Sequence, residues 1–548
     1  MKLFTSSIWL TATFIFTQSI LFAQMRDTVD VPTTINGSPF GAINKFIIGD
    51  TTSTGERNNP NRVYRLKSNS IYFLDGIFFA DFDLNLIGET PEDGKKPPII
   101  ASTAGSDGTI QLIQFKFFEN ATIKNVICQM TPPSGNGESN AAFFLSGQKK
   151  NYEFDNVRIE WGLWTGITTE VPVNKVVIKN CYFRNLEHKT DIWNGRGMNT
   201  YQQNPADTVI MQNNTFFNLN SFVFAADVST IPPKYLYFDH NTIVNTMKFP
   251  IHSFWLPNAT VTNNIFFNAH SYGENSSDIV GQDPQKLLYG IINIDKIPNA
   301  LKTYYQIKEE DRKYLVANNV FYYEPEVKAY WNSFSLPENP FMNSRNVSMF
   351  GDDATYPYLT VQNTIEENPM FVEPGAGRNA MITWMSNRRN LQDNNYWGWD
   401  PDQNKFEVQW PFPEDLSFTN EKIKTAANGG FPVGDLNWWK AEKELWEAWK
   451  LTGSSDFAQN LISDLRITPN PSTDKLQIQF YLESNSDIDI EFYKTDLSSL
   501  SNYSSMSGKQ GLNLVDINLS DVGITQNGVY FLVIKSGNYM VTKKIVKI

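Results

Sequence analysis

The chain has 548 residues, a formal net charge of −12, and only two cysteines, Cys128 and Cys181. This acidic balance leaves no basic excess to neutralise phosphates, which argues against nucleic acid as a partner, and two cysteines cannot staple a disulfide scaffold. The four histidines, His188, His240, His252 and His270, form no zinc motif of the HExxH or CxxC kind, so a metal here would be a hard cation held by oxygen ligands.

Lys2, the apolar run Ile8 to Phe22 and a small residue at Ala23 have the layout of a signal peptide over residues 1–23, cleaved before Gln24. The run is short and interrupted, which disfavours an uncleaved anchor, and no later stretch approaches the roughly 18 unbroken apolar residues of a spanning helix. The mature chain is therefore expected to carry no integral membrane segment. Thr34 to Asp50 is short and mixed and is expected to cap the first strands. Those strands are expected at Val63-Tyr-Arg-Leu, Ile71-Tyr-Phe-Leu, Leu84-Asn-Leu-Ile-Gly88 and Pro98-Ile-Ile100.

One pattern then recurs: alternating apolar residues, an Asn, and a second short apolar run. It appears as Thr122-Ile-Lys-Asn-Val-Ile-Cys128, Val177-Ile-Lys-Asn-Cys-Tyr-Phe-Arg-Asn185 and Leu236-Tyr-Phe-Asp-His-Asn-Thr-Ile-Val-Asn245, among others. The register marks Asn125, Asn156, Asn180, Asn213, His240, Asn263 and Asn318 are separated by 31, 24, 33, 27, 23 and 55 residues. The first five steps fit single coils of a solenoid; the last fits two coils or one with a long insertion. Coils that cannot bury an apolar face alone must stack into one core. Asn tolerates the left-handed backbone of a tight corner, and stacked amides can bond to one another, so these asparagines read as scaffold. Cys181 stands where another repeat carries Asn, which favours two free, buried thiols over a single disulfide.

After the repeats, Asp400 to Val433 is rich in Pro, Trp and charge. It leads to a helix in which Trp438, Glu442, Leu445 and Trp449 share a face, with Asp435 or Asn437 as N-cap. That helix suits a cap on the solenoid better than a sugar-stacking platform. Residues 451–460 read as a linker. Residues 461–548 hold short strands at Lys475 to Phe480, Ile488 to Tyr493, Gly528 to Ile534 and Lys543 to Ile548, the pattern of a small β-sandwich. The expected fold is thus all-β: a right-handed parallel β-helix over residues 24–450 followed by that sandwich.

Two resemblances extend this reading. Pro469-Asn-Pro471, Gly528-Val-Tyr-Phe-Leu-Val533 and Lys543-Lys-Ile-Val-Lys547 resemble, in order and spacing, the C-terminal sorting domain of the type IX secretion system of Bacteroidota. That resemblance implies passage across the outer membrane by the type IX machinery, then release or attachment at the cell surface. The repeats, over roughly Ile43 to Ile382, resemble the pectate-lyase-like superfamily of β-helices, which implies a polysaccharide substrate or ligand.

In such folds the groove lies along one sheet, here expected at 140–147, 165–170, 195–201, 221–227 and 250–255. Eliminative lyase chemistry needs a base to take the proton α to a uronate carboxyl and cations to neutralise that carboxylate. Arg196, His252, Lys189 and His188 are the catalytic candidates, with Lys248 as a further cation. Tyr201, Phe254 and Asn199 are the substrate-binding candidates. Asp191, Asp227 and Glu170 are candidate calcium ligands, calcium being the one cofactor the chemistry suggests. No Asp-Asp pair or Gly-His-Gly motif supports hydrolysis, but the arginine motifs of the lyases are not recognisable either. A non-catalytic glycan-binding or adhesin-type surface protein stands as the alternative.

Overall fold

The computed structural model describes residues 27–451 and 462–548, except 93, 105–108, 133–137, 189–190, 202, 227–230, 276–288, 376, 391–403, 406, 483–484, 497 and 537–538. The expected leader therefore lies outside the described residues. The repeats form a parallel β-helix. A 19-stranded parallel sheet makes two of its faces and a seven-stranded parallel sheet makes the third. One coil illustrates the path. Strand Val173–Lys179 turns at Asn180 into Tyr182–Leu186, and the chain then crosses to Arg196–Thr200 before starting the next coil at Ala206–Gln212.

The corner requires a left-handed backbone, and asparagine supplies it: Asn125, Asn156, Asn180, Asn213, Asn263 and Asn318 all have φ between 53° and 59°, with His240 at 50°. The residue after the corner points inward and builds a ladder. The side-chain amide of Asn214 donates to Asn241, Asn241 to Asn264 and Asn264 to Asn319, at 2.9, 3.0 and 2.9 Å. Cys181 occupies the place of Asn214 one coil earlier, its Sγ lying 3.5 Å from the amide nitrogen of Val157, and both cysteines are free and buried. A second ladder runs through the last Asn of the same repeats. Asn218 donates to Asn185, Asn245 to Asn218 and Asn268 to Asn245, at 3.1, 2.9 and 3.0 Å. Each link satisfies an amide that would otherwise be stranded in a dry interior.

The 55-residue step resolves into one coil with an insertion, since Asn258–Thr262 pairs directly with Lys313–Ala317. A further coil ends at Leu359–Gln362 and Ile365–Glu366. The core is a continuous stack of apolar side chains, closed at its start by Ala42–Ile48, which buries Ile43 and Ile47. At the far end it takes in Val327 and Trp331 of helix Pro325–Ser333 and Met381 and Trp384 of helix Arg378–Arg389.

The stretch rich in Pro, Trp and charge is a strap. From Asn404 onward it runs along the outside of the face built by strands such as Tyr182–Leu186 and covers it. The Trp-rich helix spans Lys440–Leu451 and lies along the side of the solenoid. Lys443 donates to Asn180 and Lys450 to Gln212, and Trp446 packs on His240. Asp435 caps the single turn Leu436–Trp438 that precedes this helix, accepting from the amide of Asn437. That corrects the expected N-cap, because Trp439 breaks the helical backbone between the two.

The C-terminal domain is a sandwich of a three-stranded and a four-stranded antiparallel sheet. Its two terminal motifs are joined. The side-chain amide of Asn470 donates to the carbonyl of Lys544 at 2.8 Å and its oxygen accepts from the amide of Val546 at 2.8 Å. The sandwich docks on the strap through Phe531, through Lys544 on Glu442 at 2.6 Å, and through its Thr542 carbonyl, which accepts from Trp449 at 3.0 Å.

Candidate functional site

The seven-stranded sheet consists of strands Phe78–Ala80, Ile113–Phe117, Ala141–Leu145, Thr165–Thr169, Arg196–Thr200, Phe224–Ala226 and Ile251–His252. Five of them fall within the stretches expected from the sequence. The facing rule alone would put Arg196 and Asn199, three residues apart, on opposite sides. The strand is kinked between them. The pairing register omits Gly166 and Gly197, and a side chain at either glycine would meet a core phenylalanine, Phe183 or Phe216. Arg196 and Asn199 therefore both face outward, and the guanidinium of Arg196 donates to Asn199 Oδ1 at 3.1 Å and to the carbonyl of Trp193 at 2.7 Å.

In register, the outward row reads Phe79, Lys116, Phe144, Thr168, Asn199, Ala225 and His252. Its exposure falls along the axis. Phe79 is 50% exposed and Phe144 partly so, whereas Thr168 and Asn199 are at 0% and His252 at 3%. The open half is aromatic: Phe79 stacks on Phe118, and Trp164 packs edge-on against both Phe144 and Tyr201.

The buried half is polar within an aromatic surround. His252 stacks on Phe222 with 4.4 Å between centroids and meets Phe249 and Phe254 edge-on. The guanidinium of Arg196 lies 5.7 Å from the same Phe222 ring. Lys248 sits 4.2 Å over Trp193 and pairs with Glu274 at 2.7 Å, both side chains buried. His270 Nε2 stands 3.7 Å from Glu274. Thr168 Oγ1, Asn199 Nδ2 and both ring nitrogens of His252 are buried without a hydrogen-bond partner among the described residues. Unsatisfied buried polar atoms are rare and costly in native proteins, and here they share one face.

Burial, then the positive charges of Arg196 and Lys248, push His252 down to about 3, so its imidazole is neutral near pH 7. Burial would raise Glu274, but Lys248 and His270 outweigh it and hold that carboxyl at about 2.

The other candidates are placed as follows. Phe254 is buried beneath Tyr289 rather than offered to a ligand. His188 serves its own loop, where Nδ1 accepts from the amide of Asp191 at 3.1 Å. Asp191 organises the same loop by accepting from Trp193 N and the Asn194 amide group, both at 2.9 Å. Glu170 pairs with Lys116 at 2.7 Å and accepts from Ser146. Lys189 and Asp227 lie outside the described residues, and among those residues no group of three or more His, Cys, Asp or Glu could hold a metal ion. The structure thus brings together Arg196, Asn199, His252 and Lys248, and leaves Tyr201 at the rim. Thr168, Trp193, His270, Glu274 and Tyr289 were not foreseen. Thr168 lies in a strand of this sheet and Trp193 just before one, whereas His270, Glu274 and Tyr289 follow Ile265–Ala269 of the large sheet and carried no such signal.

No helix among the described residues is long and apolar enough to cross a membrane. No curated protein matches the chain. Residues 466–548 match the secretion system C-terminal sorting domain family, so the protein is a parallel β-helix exported by type IX secretion to the cell surface or the extracellular space.

Proposed function

We propose that the protein acts on an acidic polysaccharide at the outer face of the seven-stranded sheet, as a pectate-lyase-like β-eliminase with His252 as the base. The supporting observation is the neutral imidazole of His252, its ring nitrogens without a partner among the described residues, grouped with two buried cations, Arg196 and Lys248. In elimination the imidazole takes the proton from the carbon α to a uronate carboxyl. The electron pair forms a carbon–carbon double bond, and the glycosidic oxygen departs with a proton from solvent. Arg196 neutralises the carboxylate and the growing charge beside it. Burial is the main cause that depresses His252, and a bound carboxylate offsets the smaller share due to the two cations, raising the basicity of the imidazole when substrate is present. Polygalacturonate, alginate and glycosaminoglycans, followed by the ultraviolet absorbance of unsaturated product with and without calcium, test this directly. Product on at least one polymer is expected, and none on any of them would overturn the elimination.

A second reading, non-catalytic retention of a glycan, is favoured by the aromatic track Phe79, Phe118, Phe144, Trp164 and Tyr201 on the solvent side of the same row. Stacking on sugar faces requires nothing more. Retention on an immobilised polymer without unsaturated product would select it.

A further inference from the structure

The sorting domain has two outer sheet faces, and they differ. On the three-stranded sheet, outward residues of the paired strands Lys475–Leu482 and Gly511–Asn518 stay in solvent: Tyr481 is 40% exposed, Leu512 58% and Leu514 54%. The four-stranded sheet is built the same way, with Phe492, Leu532, Ile534 and Ile545 turned into the sandwich core. Their neighbours along each strand must point outward. Yet Phe531, Val533, Thr542 and Lys544 are buried, Phe531 at 0% exposure and Thr542 at 1%. Register sets them side by side. Tyr493 pairs with Phe531 and Phe531 with Lys544, while Val533 pairs with Thr542.

The cover comes from the β-helix body. Helix Lys440–Leu451 sets Lys443, Trp446 and Lys450 against the solenoid and offers Glu442 and Trp449 to the sandwich. Trp449 Nε1 donates to the Thr542 carbonyl at 3.0 Å. Lys544 pairs with Glu442 at 2.6 Å, and its Nζ lies 5.0 Å from the centre of the Phe431 ring. Phe531 belongs to the same apolar cluster as Phe431 and Trp449, and Tyr493 packs against it. The contact thus has an aromatic centre, a charge pair beside it and a directed hydrogen bond, the parts of a specific interface.

We propose that this sheet face is a docking face for the strap and its helix, and that it holds the sorting domain on the β-helix body without the covalent link between residues 451 and 462. The domain is then the outermost layer of the body as well as its export signal. A tether alone would leave the four-stranded face as wet as the three-stranded one. Covering one face only, with aromatic and charged groups matched from both sides, marks a recognition surface. The proposal is independent of the chemistry at His252.

The test keeps the full-length protein, with a site-specific protease sequence inserted after Ser454 and cut once the protein has folded. Cutting removes the effective concentration that the link supplies, so the interface alone must hold the pieces. When a denaturing gel shows two bands, gel filtration in about 150 mM salt decides. One peak holding both pieces is expected, and two peaks would overturn the proposal. Lys544→Glu sets a carboxylate against Glu442, and sedimentation of the cut variant is expected to show binding weakened at least about tenfold. Adding Glu442→Lys restores opposite charges and should restore the single peak. Binding untouched by Lys544→Glu, or a loss that Glu442→Lys does not reverse, would overturn the assigned face.

Discussion

Two outer faces of the same coil solve the problem of buried polar groups in opposite ways. On the face beneath the strap the charged side chains are paired, although Arg158 Nε itself has no hydrogen-bond partner among the described residues. Glu160 receives Arg158 at 2.6 Å and Arg184 at 2.7 Å, Arg184 reaches on to Glu414 at 2.9 Å, and Tyr182 donates to the same Glu414. Lys405 pairs with Glu187 at 2.5 Å and Glu138 at 3.2 Å. Burial would raise Glu160, but the two arginines overcome it and keep the carboxyl below its ordinary range. On the seven-stranded face, Thr168 Oγ1, Asn199 Nδ2 and both ring nitrogens of His252 are buried and have no such partners among the described residues. A closed network stabilises a fold; open donors and acceptors cost stability and are kept where a ligand completes them. The contrast separates scaffold charge from candidate chemistry more sharply than burial alone.

The comparison can be broken at four points. The largest effect is expected from Glu160→Ala, which strands Arg158 and Arg184 in the dry interface under the strap. Loss of one partner from such a network costs about 3–5 kcal/mol, read in chemical denaturation of the full-length protein. A change below about 1 kcal/mol would mean that the strap opens readily to water.

The second concerns acid. His252 titrates at about 3 when folded against an ordinary 6.5, so below pH 6.5 the unfolded chain binds a proton that the folded chain refuses. This penalty is absent above 6.5 and grows as the pH falls toward 3, by up to about 1.4 kcal/mol per pH unit. Replacement His252→Gln should flatten that part of the stability–pH curve, and an unchanged curve would show that the imidazole is reached by water.

Third, Asn241→Ala removes the amide that accepts from Asn214 at 2.9 Å and donates to Asn264 at 3.0 Å. About 1–3 kcal/mol should be lost in thermal or denaturant unfolding, with glycan affinity unchanged. Smallest is Tyr201→Ala at the open rim. It should leave stability within about 0.5 kcal/mol and weaken glycan binding by roughly 1 kcal/mol, as expected for one lost stacking ring.

Much of the solenoid was legible because its corner imposes one chemical demand at every turn. Positive φ at Asn125, Asn156, Asn180 and their successors explains why a single residue type marks the register. The second ladder was equally visible in principle, since Asn185, Asn218, Asn245 and Asn268 close the same repeats, and Trp161, at φ 62°, takes its place in the preceding coil. The buried ion network also left a trace. Arg184 stands where the following coils carry Phe217, Val244 and Phe267, and a charge in an apolar column must find partners from elsewhere. Its distant partner Glu414, and Lys405 on the neighbouring Glu187, lie more than 200 residues away in a segment with no period, so spacing alone could not bring them there. The site was legible in part for a related reason. Strand position picked out Arg196, Asn199 and His252, but Tyr289 on Phe254 and Glu274 on Lys248 come from beyond the last described strand of that sheet, where no period marks them.

The proposed elimination puts the chemistry on the face with the unpartnered polar atoms, not on the face under the strap. Rates of unsaturated-product formation for the wild type, His252→Gln and Lys405→Gln on the most responsive polyanion test it most directly. The account predicts a loss of at least about 100-fold for His252→Gln, with its fold intact by circular dichroism, and less than about twofold for the strap variant. Equal losses in both variants, or full activity in His252→Gln, would contradict it.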